Sequence, residues 1–159
     1  MKTLLVSLLL LTASIAGAQE EFDKYVESLR QDLKADKVAL ITDAMDLTGE
    51  ASTKFWPIYR DYDHELSKVG DRRVALIKDY AASYTTMTNE KAKSIMKSFF
   101  KNHKDRLDLM DKYSVKMEKA LDAITAAKFL QLENEIQALL ELQLASELPL
   151  IKKPMKQTR

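Results

Sequence analysis

Residues 54–84, KFWPIYRDYDHELSKVGDRRVALIKDYAASY, decide how this chain folds. Large apolar side chains recur there three or four residues apart: Phe55, Tyr59 beside Ile58, Tyr62, Leu66, Val69, Leu76 with Ile77, Tyr80 and Tyr84. That period draws one apolar stripe along a helix and does not fit a strand. At about 1.5 Å per residue the helix is roughly 45 Å long. One compact core cannot cover such a rod, so a second segment must run back along it. Pro57 stands inside the stripe. With a helix start near Thr48, Pro57 is interior, lacks a donor and crowds the carbonyl of Thr53, which predicts a kink costing about 3 kcal/mol in an isolated helix. Starting a new helix at Pro57 would leave Trp56 as its cap, a poor choice chemically.

The partner follows directly. From about Asn89 to Leu121 a second stripe reads Ala92, Met96 with Ile95, Phe99, His103, Leu107, Met110, Tyr113, Met117 and Leu121. Its alternating spacings of three and four are close to a coiled-coil seam. Thr85-Thr86-Met87-Thr88 allows only a short turn, with Thr88 as the next cap. The two helices are therefore expected to form an antiparallel hairpin.

Other helices flank it. Residues from about 21 to 46 place Phe22, Val26, Leu29 and Leu33 on one face, slip in phase at 34–37, and resume with Val38, Ile41 and Met45. This reads as a kinked helix or two short ones. Thr48 is the expected cap of the organising helix, with Glu50 at the positive end of its dipole. Thr125 is the expected cap of a last helix, about Ala126 to Leu148, with Phe129 stapled to Ile124. In that helix Phe129, Leu130, Leu132, Ile136, Leu139, Leu140, Leu142, Leu144 and Leu148 take up most of the circumference. A helix apolar nearly all round is expected to be buried on two sides, and a second copy of the chain is a candidate for one of them. The starts at Thr48, Thr88 and Thr125 lie about 40 residues apart, as an internal repeat would or as three separate caps would.

Composition agrees with an all-α fold. Only three Gly and three Pro interrupt a chain of 159 residues that is 31% charged, which favours long helices over strands and turns. Lys2, the apolar run Leu4–Leu11 and Ala16-Gly17-Ala18 read as an export signal cleaved after Ala18. The run is too short for a membrane span, and no membrane insertion is expected. The mature part then comprises a single helical domain over 19–148 and a basic, mobile tail over 149–159. With no Cys, it has no lipid-attachment site and no disulfide, so packing or association must stabilise it. The 25 basic and 24 acidic residues nearly balance, so nothing global points to nucleic acid or an anionic membrane.

Catalysis is not expected: no Gly-rich phosphate loop, no Gly-x-Ser-x-Gly elbow and no Cys are present. No cofactor is expected either. A metal is the sharper question. Asp61-x-x-His64 puts a carboxylate and an imidazole on one helix face, and His103 lies on the third helix's stripe. If the hairpin turns near residue 86, His103 faces roughly Val69, about 8 Å along the axis from His64. The two could share a metal only after a register shift. The plainer account is a surface histidine beside acids and a seam histidine with a partner.

The hairpin's polar face is basic. Lys93, Lys97, Lys101 and Lys104 fall on one line, Lys112, Lys116 and Lys119 on another, with Asp105, Asp108 and Asp111 between and Arg72, Arg73 and Lys78 on the neighbouring helix. One reading is a solvated face. The other is a surface that attracts negatively charged unfolded chains and lets apolar groups slip in, formed by Arg72, Arg73, Lys97, Phe100, Lys101, Lys104 and Leu109. Ile95 and Val115 also fall off the main stripe, and all these apolar residues could instead face the first or last helix.

An export signal, Cys-free long helices and helix starts of the Leu-Thr-x-x-Gln type resemble the Spy/CpxP group of periplasmic proteins. The starts here read Leu47-Thr48-Gly49-Glu50-Ala51, Met87-Thr88-Asn89-Glu90-Lys91 and Ile124-Thr125-Ala126-Ala127-Lys128, each with another residue where Gln is expected. The resemblance implies a periplasmic, antiparallel, cradle-shaped homodimer that binds unfolded or partly folded proteins without ATP. It equally admits an envelope-stress or metal-responsive regulator, and a structural helical adaptor remains a further reading.

Overall fold

The structure, a computed structural model, describes Lys24, Ser28 and residues 37–147, with side chains through Leu142. The expected signal, the Phe22–Leu33 face, Leu144, Leu148 and the tail lie outside the described side chains. Every described secondary-structure element is helical: α1 (37–45), α2 (Gly49–Ser83), α3 (Asn89–Ala120) and α4 (Ala123–Glu147). The chain divides into compact units 1–40 and 41–159. In the first, Val38 and Leu40 are exposed. The second holds the end of α1 and all of α2, α3 and α4.

α1 stops where Asp46 takes a left-handed φ of 49°, a conformation Asp tolerates better than most residues. Its amide still bonds back to the Thr42 carbonyl. Gly49, with φ 55°, then opens α2, and no atom would meet an added Cβ there, so backbone conformation rather than space asks for glycine. Pro57 is interior to α2, which continues through it.

α2 and α3 run antiparallel. The Asn102 amide donates to the Val69 carbonyl at 2.8 Å, Arg72 pairs with Asp105, and Lys112 and Tyr113 both reach Glu65. Nearer the turn, Lys91 pairs with Asp79. The core gathers at the opposite end, where Phe55, Tyr59 and Tyr62 of α2 meet Tyr113 and Met117 of α3 and Phe129 of α4. Tyr62 meets the Phe129 ring edge-on at 5.0 Å and Tyr113 at 5.5 Å, geometries that the ring quadrupole favours. Ile41 and Met45 from α1 complete this cluster, with Trp56 half-buried on it.

The caps differ from one another. Thr88 accepts a hydrogen bond from the Lys91 amide at 3.1 Å, as expected. Thr48 occupies the cap position of α2, but its side chain makes no cap bond. Thr125 is not a cap: it lies inside α4, and Asp122 accepts from its amide at 2.7 Å and from its hydroxyl at 2.9 Å. The Asp122 carboxylate takes that orphan amide of the first turn, and the Thr125 hydroxyl stands three residues too late to cap the helix. Ile124, expected to staple Phe129, is 82% exposed while Phe129 is fully buried.

Candidate functional site

α3 presents chemically different faces, and its sequence explains why. At 100° per residue, Asn102, Leu109 and Tyr113 share the face towards α2, and Arg106, Met110 and Met117 lie on the face beside it. Asp105, Lys101 and Lys112 turn away on one side. Met96, Phe100 and Leu107 turn away on the other.

On the first side an open groove of about 510 Å³ runs between α2 and α3, lined by Asp61, His64, Glu65, Lys68, Arg72, Asp105, Tyr113 and Lys116 among others. Two of its carboxylates, Glu65 and Asp105, are engaged by cations of the pair. Lys112 bonds both oxygens of Glu65, and Tyr113 donates to the same carboxylate at 2.8 Å. Lys112, and after it Tyr113, hold Glu65 below the usual carboxylate range. Burial, helped by that carboxylate, pushes the Tyr113 phenol up to about 12. Asp105 is likewise held low, first by Lys101 and then by Arg72. The Lys116 ammonium lies 4.3 Å from the Tyr113 ring centroid, within cation–π range.

The second side is unlike it. Phe100 is 68% exposed and Leu107 is 55% exposed, with Met96 exposed beside them. Lys93, Lys97 and Lys104 each stand three residues before one of these apolar groups, hence one turn away on the same face. Lys104 pairs with Asp108 at 2.7 Å. Lys93 and Lys97 form no ion pair among the described residues. On α4, Leu139 and Leu142 are also exposed.

Between the two sides, Arg73 of α2 lies 5.2 Å from the Phe99 ring centroid and His103 packs on that ring at 4.2 Å. Burial first, then the Arg73 charge, lowers the His103 pKa, and Glu141 of α4 opposes them.

Of the expected contact residues, Phe100 and Lys97 are exposed and neighbouring. Arg72, Lys101 and Lys104 sit in ion pairs with Asp105 and Asp108, and Arg73 is half-buried over Phe99. Leu109 is a correction: at 8% exposure it belongs to the core against α2. Val115 is exposed and Ile95 half-buried. Met96 and Leu107, expected in the hairpin seam, lie outside it. Asp61 and His64 line the groove, whereas His103 packs on Phe99 outside that lining, so the two histidines do not converge. No group of three or more His, Cys, Asp or Glu among the described residues is placed to hold a metal.

Neither a family model, a curated protein nor a solved structure matches this chain. Among the described residues no helix is long and apolar enough to cross a membrane.

Two buried polar residues escaped the apolar periodicity. Glu133 of α4 is 4% exposed, and the Tyr62 hydroxyl donates to its Oε2 at 2.9 Å. Burial first, and this carboxylate second, raise the Tyr59 and Tyr62 phenols far above their ordinary value. Glu133 lies four residues after Phe129 and three before Ile136, a spacing that marks it as inward-facing. Asn102 is the other: it falls in step with Phe99, Arg106 and Leu109, so counting polar residues at helical spacing would have found it.

Proposed function

We propose that this chain is an exported, ATP-independent binder of unfolded or partly folded polypeptides, with a Spy/CpxP-like hairpin paired as a homodimer in the periplasm. The observation that supports it best is the line Met96, Phe100 and Leu107. Three large apolar side chains stay in water on a well-packed helix, each with a lysine one turn before it. Exposed apolar groups grouped on one face mark contact surfaces more often than scattered ones do. The adjacent lysines draw acidic segments in and keep the free surface soluble. Nothing in the arrangement requires a nucleotide, because capture and release follow from burial of apolar area and its reversal.

Suppression of aggregation of several chemically unfolded clients tests the reading. The full chain should suppress light scattering at a few-fold molar excess, and Phe100→Glu with Leu107→Glu should abolish the effect while helicity is kept. No suppression by the unaltered chain, or equal suppression by the double variant, rejects it. A dimer predicts twice the chain mass in sedimentation, checked separately.

A further inference from the structure

We propose that the exposed side of α3 is a self-complementary seam on which a second copy of the chain docks, the two α3 helices antiparallel and centred near residue 102. The proposal rests on the functional reading above for the existence of a homodimer and adds the face that forms it.

The order of residues along α3 makes the seam. At 100° per residue, Lys93, Met96, Phe100, Leu107 and Asp111 fall within an arc of about 60°. All five are exposed. A cation stands at the start of this line, a carboxylate at its end, and three large apolar groups lie between them. Lys97 and Asp108 flank it on one side, again cation first and acid last. Lys93, Lys97 and Asp111 form no ion pair among the described residues. Asp108 pairs with Lys104, yet its side chain remains 61% exposed.

Such a face matches itself only when turned end for end. Setting Lys93 against Asp111 of the second copy brings Met96 opposite Leu107 and Lys97 opposite Asp108, since all three pairs are centred within half a residue of 102. The same register puts Phe100 opposite Lys104, a ring and an ammonium suited to cation–π contact. A twofold axis through that point repeats every contact, as an isologous interface requires. Parallel pairing would instead set Lys93 on Lys93 and Asp111 on Asp111, like charges that repel. From Lys93 to Asp111 the seam is roughly 27 Å long.

The exposed apolar groups of α4 offer no such match. Leu139 and Leu142 are exposed too, but residues 129–142 carry no positive charge, so that face has nothing to set against its own acids. Pairing through α3 covers the side chains offered to guests, and a guest reaches them by displacing the second copy. Each copy keeps its own aromatic core, so separated copies stay folded.

Sedimentation of the full chain tests the seam, with circular dichroism on each variant to separate loss of pairing from loss of fold. Lys93→Glu and Asp111→Lys should each weaken dimerisation by about tenfold, and the two together in one chain should restore it. Mixed with each other, the two single variants should form heterodimers in preference to either homodimer. Phe100→Glu with Leu107→Glu should give folded monomers, and Leu139→Glu with Leu142→Glu should leave the dimer as it is. In this Cys-free chain, Lys93→Cys mixed with Asp111→Cys should oxidise to the mixed disulfide, with little of either symmetric one. A chain still monomeric at about 100 μM, no rescue in the charge-exchanged double variant, or equal yields of the three disulfides overturns the proposal. So does a dimer that survives the α3 double variant and splits in the α4 one. Aggregation suppression is read separately: copies that pair in this register yet suppress nothing leave the seam standing and count against client binding, whereas a strict monomer that suppresses aggregation keeps the client strip and removes the seam.

Discussion

Glu133 is the residue on which most depends for its size. A carboxylate almost out of water must keep its hydrogen bonds, because a buried acceptor left unmade costs about 1–3 kcal/mol. Tyr62→Phe removes the donor and leaves the acid in place, so it should lower unfolding stability by that amount in urea titration. Glu133→Ala should cost at least as much, since it strands the Tyr62 hydroxyl and opens a void. Glu133→Leu, which replaces the polar group with an apolar one of similar size, should cost less than either. Asn102→Ala tests a weaker bond of the same kind. The Val69 carbonyl it serves is already inside a helix, and the expected loss is about 1 kcal/mol.

At the scale of the element, the caps separate position from chemistry. Thr88→Ala and Asp122→Ala each remove a side-chain acceptor from a helix amide and should cost about 1 kcal/mol. Thr48→Ala removes no such bond and should be close to silent in the same thermal melts. The same contrast explains how much of the architecture could be read in advance. The α2 stripe was legible because Phe55, Tyr59, Tyr62 and Val69 are apolar and share one face. The register against α3 was legible too, since a turn near residue 86 sets His103 opposite Val69 and the structure sets Asn102 there. The face of α3 was not. Its packed side runs through Asn102 and Arg106 as well as Leu109 and Tyr113, so a count of apolar residues alone chose Met96 and Leu107 instead. Leu109 was misplaced for the same reason. The start of α4 was misjudged because a threonine suited to capping stood three residues after an aspartate that took the role first.

For the second compact unit as a whole, stability is concentrated at the aromatic end. Phe129 is fully buried and touches Tyr59 and Tyr62, so it joins α4 to α2 as well as to its own neighbours. Phe129→Ala should cost about 3–5 kcal/mol and lower the melting temperature more than any substitution at Met96, Phe100 or Leu107. Those three should be nearly neutral in stability, and the divergence is measurable by circular dichroism on purified variants. The candidate surface is legible in retrospect from the lysines that precede each exposed apolar group by three residues, a pattern that apolar counting alone does not register.

The sole tryptophan, Trp56, leans on Phe55 and Tyr59 at 5.2 and 5.6 Å, so its emission speaks for that end alone. Fluorescence melts will therefore follow the aromatic cluster and miss any loosening near Phe99 and His103. A Trp-free guest resting on Phe100 should leave the spectrum unshifted, and an optical titration that shows nothing will say only that the wrong end was watched.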